Sequence, residues 1–187
     1  MALQIRTMRE KLWKSQQYCQ IICAIFFRIP RNSGMVEEEL EHIEAYIRIQ
    51  KLRYGEEAFS FEATMDGDIG EWKVPSLLLQ TLVENSVVHG VSLDRKSEIS
   101  LYLTNETYED GEYLYICISD TGNGFRKEAL DAIEHDTPII YHGRHHVGIS
   151  NIKRRLALMY GERASITCSN MDENYGAVVE VRLPKTE

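Results

Sequence analysis

An aspartate followed by two glycines at alternate positions, Asp120-Thr-Gly-Asn-Gly124, closes an almost wholly apolar run from Tyr113 to Ile118. A carboxylate at the end of a buried strand is costly unless a polar group pairs with it. Gly122 and Gly124 let the backbone take positive φ and approach a ligand closely. Asp120 so placed can accept a hydrogen bond from an exocyclic amine, such as the N6 amino group of adenine. The plainer alternative is a strand-to-turn junction in which Asp120 caps a helix.

A second group of polar residues interrupts an apolar helix. Residues 74–90 begin with Pro75 in a first-turn position and end with Gly90 as a stop. Leu78, Leu79, Leu82, Val83 and Val87 recur at helical spacing and form a buried stripe. Glu84, Asn85 and His89 break into it, with Asn85 and His89 on one face at i, i+4. Such groups need partners; singly they read as satisfied core residues, and together with the Asp-Gly-Gly turn they read as a polar ligand site. Further on, Gly148 opens an amphipathic helix with Ile149, Ile152, Leu156 and Met159 on its buried face, ended by Gly161. The free N–H groups at such a helix start favour an anion, phosphate above all, although an ordinary surface helix flanked by glycines has the same pattern.

The elements that must hold these groups follow from periodicity. Residues 3–28 read as a helix with apolar positions on more than one side, and 31–34 as a turn. Residues 36–54 form an amphipathic helix with acids early, and Leu40, Ile43, Ile47 and Leu52 on its inner side. Phe59, Phe61, Ala63 and Met65 alternate as in a strand. The apolar helix ending at Gly90 comes next, then a strand over 98–105, a hairpin at 109–111 and the strand ending at Asp120. A short helix over 126–134 and two closing strands, 164–169 and 177–183, complete an α/β sandwich with helices on one face. No internal repeat or low-complexity tract is present.

Composition sets bounds. The chain has 187 residues, 43% of them hydrophobic, enough for one core plus a helical arm. The net charge of −8 argues against a general nucleic-acid binder, but a local nest of backbone N–H groups can hold phosphates on an acidic protein. No apolar stretch reaches the length of a membrane span. Cys19, Cys23, Cys117 and Cys168 lack CxxC spacing and read as reduced core thiols of a cytosolic protein. The run His142-Gly-Arg-His-His146 has the residue type for metal binding but lacks carboxylate or cysteine company.

Taken in order, the three segments resemble the N, G1 and G2 boxes of the GHKL (Bergerat) ATPase superfamily. Glu84-Asn85 with His89-Gly90 matches the N box, Asp120 to Phe125 the G1 box, and Val147 to Asn151 the G2 box. The chain is more similar still to the LytS/YesM-type sensor histidine kinases of bacterial two-component systems. The carriers are Glu-Glu-Glu-Leu-Glu-His-Ile at 37–43, Tyr-Ile-x-Ile-Gln-Lys-x-Arg-Tyr at 46–54, Pro-x-Leu-Leu-Leu-Gln at 75–80 and Leu-Met-Tyr-Gly at 158–161. Together they extend the resemblance over roughly residues 17–184.

The resemblance implies a two-layer sandwich with a mixed, mostly antiparallel sheet, an ATP-binding catalytic domain over 35–187, and an arm over 1–34 left from the dimerisation and acceptor region. By it, Asp120 would read the adenine amino group, while Gly122 and Gly124 let the base pack against backbone. Asn85 would coordinate Mg²⁺ bridging the phosphates. His89, Gly148, Ile149 and Asn151 would complete the nucleotide site, with residues 142–146 in the ATP lid. Glu84 would polarise the attacking imidazole of the acceptor histidine, although an acid there serves equally to hold Mg²⁺ through water.

The sequence departs from the pattern at His146, where a first glycine is usual, and at Val88, where a lysine often precedes the N-box histidine. The Pro-His-Phe acceptor motif does not occur, and none of the six histidines lies in that context; His42, in the Glu-rich helix, reads as a solvated or interdomain residue. Leu3 to Met8 resembles the stretch that follows the acceptor, which implies a chain that starts just past it. The implied partners are ATP, an acceptor-histidine helix, a response regulator and a second copy in the full-length protein. Nucleic acid and membrane contact by this segment are not implied. It would be a cytoplasmic domain of a membrane-anchored parent. Two rivals share the pocket: an ATPase clamp of the gyrase or mismatch-repair type, and a catalytically silent nucleotide-binding module.

Overall fold

Acids at the head of a helix and cations at its tail complement the helix macrodipole, and the first long element is built that way. The computed structural model describes residues 33–92, 94–135, 140–141, 144–145, 148–172 and 175–186. The helix expected over 3–28, all of the arm except residues 33 and 34, Cys19, Cys23 and most of the histidine-rich run lie outside them. Helix α1 spans Val36–Tyr54, with Glu37, Glu38 and Glu39 in its first turn and Lys51 and Arg53 in its last. Its leading N–H groups find carbonyls in a distant loop: Val36 N donates to Trp72 O at 2.9 Å, and Glu37 N to Gly70 O at 3.0 Å. Ahead of it, β1 (Ser33–Met35) pairs antiparallel with β3 (Lys73–Pro75). Residues 33 and 34 are thus strand rather than turn, because the 70–75 segment offers them a partner.

Five strands form the main sheet in the order β2, β4, β5, β9, β8. They are β2 (Phe59–Asp66), β4 (Ser97–Tyr108), β5 (Gly111–Asp120), β8 (Ser165–Asp172) and β9 (Tyr175–Pro184). The β2–β4 pair is parallel and the other pairs are antiparallel, the mixed, mostly antiparallel sheet expected. Residues 140–141 and 144–145 form β6 (Ile140–Tyr141) and β7 (Arg144–His145), a two-stranded ladder.

The period of two decides which face is dry. Ile99, Leu101 and Leu103 of β4, Leu114, Ile116 and Ile118 of β5, and Val179, Val181 and Leu183 of β9 are buried together. Against them lie α2 (Leu78–Gly90), α3 (Lys127–Glu134) and α4 (Gly148–Tyr160). The opposite face carries the alternate residues, Tyr102, Tyr115, Cys117, Glu180 and Arg182 among them, and is only partly covered. Cys117 therefore belongs to the open face of its strand rather than to the core. Asp120, at the same parity as Ile118, falls on the helix-covered side.

Several positions differ from expectation for physical reasons. Pro75 ends β3 and lies outside α2, because Ser76 and Leu77 intervene before the helix begins. In β2 only Phe59 is fully buried, and Met65 is 47% exposed, because an edge strand has no helix over its far half. Leu52 and Met159 are exposed, while Tyr54 and Tyr160 pack on the core in their place. A period of 3.6 carried on from Ile47 and Leu156 brings round the later residue each time. Gly90 is the last residue of α2 rather than a stop beyond it.

Candidate functional site

Asp120 ends β5 only 3% exposed. Its Oδ1 accepts the Gly122 N–H at 2.9 Å, and the carboxylate also accepts the Ser86 hydroxyl and the Ala177 N–H. Burial pushes its pKa above the ordinary carboxylate range, and these bonds and the nearby His89 offset only part of that effect. The turn around it is fixed at several points. Thr121 N donates to Glu98 O at 3.0 Å and Thr121 Oγ1 accepts Glu98 N at 2.8 Å, while Gly122 O takes Gly176 N at 3.0 Å. Asp120 does not cap a helix, since α3 starts only at Lys127.

The glycines here serve close approach as much as turning. A Cβ on Gly90 would stand 2.6 Å from Asp120 Cγ, and one on Gly122 would overlap Gly90 Cα and stand 2.7 Å from Asp120 Oδ1. The C-terminal end of α2 and the turn after β5 therefore touch backbone to backbone. Gly124, at φ 69°, meets Asn170. The Asn170 side chain accepts Phe125 N at 2.6 Å and donates to Phe125 O at 2.9 Å, so it reads that residue as a neighbouring strand would.

A turn and a half back along α2 lies the second half of the site. Asn85 Nδ2 donates to Thr81 O at 2.9 Å, which leaves Oδ1 as the acceptor of that carboxamide. A Cβ on Gly148 would stand 2.9 Å from it, so the first residue of α4 abuts Asn85. Oδ1 is a hard neutral oxygen of the kind Mg²⁺ takes. Among the described residues no group of three or more His, Cys, Asp or Glu could hold a metal alone. An ion here would draw its remaining oxygens from a bound phosphate or water, and the residues fit that role.

The structure thus joins Asp120, Gly122 and Gly90 at one point and Asn85 with Gly148 at another. His89 is exposed and electrostatically linked to Asp120. Glu84 is half-buried and accepts Gln80 Nε2 at 2.7 Å. The Ile149 side chain is buried in the core, so only its backbone is available to a ligand. Asn151 is exposed on the next turn of α4. Val88 is 60% exposed, and His146 lies outside the described residues.

Ser86 and Asn170 escape the sequence reading. Ser86 left a signal, a small hydroxyl on the Val83–Val87–Gly90 stripe, where an apolar residue would ordinarily stand. Asn170 left none, because its partner is 45 residues away.

Gly122→Ala should destabilise the fold by about 1–3 kcal/mol or more, as overpacking does. Gly70→Ala, whose Cβ would meet only ordinary contacts at 3.8 Å, should be neutral or stabilise by up to about 1 kcal/mol; urea unfolding compares the two. Asp120 has a raised folded pKa, so its contribution to stability is present below the unfolded value of about 3.9 and is lost as pH rises through the folded value. An asparagine does not titrate. The stability of Asp120→Asn relative to the parent should therefore improve as pH rises from about 4 to 7, on top of any constant cost of the lost acceptor. A difference independent of pH would show that burial does not penalise this carboxylate.

Comparison with known proteins places the chain in a family. Residues 74–187 match the family described as histidine kinase-, DNA gyrase B-, and HSP90-like ATPases. The chain is 29% identical over 176 residues to sensor protein LytS of Streptococcus agalactiae, covering 90% of this chain and 28% of that protein. It is 31% identical over 131 residues to sensor histidine kinase YpdA of Escherichia coli, covering 68% of this chain and 21% of that protein. The chain therefore spans less than a third of the length of these relatives. Among solved structures, the catalytic domain of histidine kinase ThkA superposes with a TM-score of 0.62 at 15% identity, over 83% of this chain and 97% of that one. Full-length ShkA in complex with AMPPNP gives 0.58 at 15% identity, over 97% of this chain and 39% of that one. At such identities the structures speak for the fold. The matched span runs from β3 to the end of the sheet and holds both halves of the site, and the chain belongs to the histidine kinase-, DNA gyrase B- and HSP90-like ATPase family.

Proposed function

We propose that this chain is the ATP-binding catalytic domain of a sensor histidine kinase, which passes the γ-phosphoryl group of ATP to a histidine outside the chain. The observation that carries the reading is the pair of contacts along one helix, Gly90 on Asp120 and Gly122 at its end, Asn85 on Gly148 a turn and a half earlier. A buried carboxylate suits an adenine amino group, and a helix start beside a carboxamide oxygen suits phosphates with a divalent ion. Asp120 would accept the N6 amino proton, with Gly122 and Gly124 leaving room for the base. His89 lies beside that end of the site. The backbone N–H groups at Gly148 and Ile149 would face the phosphates, with Asn151 on the turn beyond. Asn85 Oδ1 would be the protein ligand of Mg²⁺, whose chemistry is to neutralise charge on the phosphates.

In the transfer, a nitrogen of the acceptor imidazole attacks the γ-phosphorus, the bond to the bridging oxygen breaks and ADP leaves. The proton on the other ring nitrogen is held by a carboxylate, and Glu84 is the candidate. Phosphoryl transfer asks chiefly for position and charge neutralisation, which a few fixed groups supply. The acceptor helix, a response regulator that receives the phosphoryl group, a second copy of the full-length protein and a membrane-anchored parent are partners and setting by the same reading. Among the described residues no helix is long and apolar enough to cross a membrane.

Calorimetric titration with a non-hydrolysable ATP analogue should give one-to-one binding that Mg²⁺ strengthens. Asp120→Asn should weaken it by roughly ten- to a hundredfold, as loss of a hydrogen bond to a charged group does. Asn85→Ala should remove most of the gain from Mg²⁺ and leave the metal-free affinity near that of the parent. No binding at millimolar analogue would reject the nucleotide reading. Equal loss in Asn85→Ala with and without Mg²⁺ would reject the metal role.

A further inference from the structure

We propose that Gln80, on a helix turn set by Glu39, is a positioning residue for the Glu84 carboxylate in phosphoryl transfer. The inference rests on the reading of Glu84 given under Proposed function and adds the residues that aim it.

Glu39 belongs to α1 yet caps α2. It is 4% exposed, and its Oε1 accepts the Leu77 N–H at 2.7 Å. The Gln80 N–H also donates to this carboxylate. Helix α2 has no side-chain cap of its own and no acid in its first turn, so Glu39 supplies both the acceptor and the negative charge that a helix start calls for. Arg155 of α4 is electrostatically linked to Glu39 and favours its charged form. The turn so held carries Gln80, whose Nε2 donates to Glu84 Oε1 at 2.7 Å one turn on.

The choice of a glutamine has a chemical consequence. A neutral amide fixes the rotamer of a flexible carboxylate, and it does so without the full positive charge of lysine or arginine, which would weaken it as a base. With Oε1 engaged, Oε2 is the oxygen left for the imidazole proton. A simple surface pair at i, i+4 does not account for Gln80. Its Oε1 is shut off from solvent without a hydrogen-bond partner, an arrangement that costs stability. Leucine or methionine would pack there without that cost. Departures of this kind from a locally optimal sequence are expected where a site is served.

The test compares the parent with Gln80→Met, Glu84→Gln and the double substitution. One readout is affinity for a non-hydrolysable ATP analogue with Mg²⁺. The second is the rate of phosphoryl transfer from labelled ATP to a histidine-bearing acceptor helix supplied in trans. The third, independent of activity, is the Gln80 side-chain amide signal in ¹⁵N-edited spectra. Gln80→Met should keep affinity within about twofold and slow transfer about tenfold, a fraction of what acid–base groups contribute. The double substitution should transfer no more slowly than Glu84→Gln alone, and Glu84→Gln should shift the Gln80 amide signal. Gln80→Glu, which keeps the shape and sets carboxylate against carboxylate, should also slow transfer, and it carries the test if Gln80→Met folds poorly. The proposal is overturned by any of three results: an unmoved amide signal, transfer at the parent rate in both Gln80 variants, or affinity and transfer falling together. If Glu84→Gln transfers at the parent rate, the assignment of Glu84 itself fails. If it slows transfer and the Gln80 variants do not, only the positioning role fails.

Discussion

The backbone contact between Gly90 and Gly122 is the constraint on which the site depends. Neither residue has room for a Cβ, so the end of α2 and the turn after β5 meet at the smallest separation two chains allow. That contact buries the Asp120 carboxylate and aligns Ser86 with it. It also sets the depth at which α2 lies on the sheet, and with it the position of Asn85 opposite the start of α4. A methyl group at either glycine would act on both halves of the site, because one rigid helix carries both.

The other end of α2 is held by a carboxylate cap as well as by packing. Leu77 has φ 62°, a left-handed conformation that costs a residue with a Cβ about 1–2 kcal/mol. It is the only non-glycine with positive φ among the described residues. The Glu39 carboxylate sits on its N–H, so the strain and the cap belong together: the turn that strains Leu77 also aims the first N–H groups of α2 at an acceptor on α1. Glu39 is itself penalised by burial, which raises its pKa. Helix α1 thereby acts on the site through the helix it caps.

Much of this was legible in the residue pattern. The bounds of α1 and the strand ending at Asp120 follow from periodicity, whereas the grouping of Asp120, Gly122, Asn85 and Gly148 was implied by the resemblance of three motifs to one family. What escaped was set by partners distant in sequence. Pro75 pairs with Ser33 in a ladder that neither residue announces. His42 read as solvated or interdomain; its Nδ1 is buried without a hydrogen-bond partner, where α1 packs on α2. Asn170 acts through one residue 45 positions away. Local pattern records what an element needs, whereas the identity of the element that meets the need is a property of the assembled sheet.

The costs in this fold gather on α2 and its neighbours: a strained Leu77, a desolvated Asp120, a Glu39 held in the dry, and a Gln80 oxygen without a partner. The rest of the helix faces nine aliphatic side chains of the sheet, where burial is most favourable. That division has a physical logic. A polar site on a rigid, deeply buried helix keeps its geometry without a ligand, so that binding need not order it. Part of the cost at Asp120 is also recoverable. A ligand N–H donated to the carboxylate favours its charged form, opposing the effect of burial. The helix that anchors the core would then also carry the desolvated carboxylate whose cost a ligand offsets, and folding and binding would draw on the same contacts.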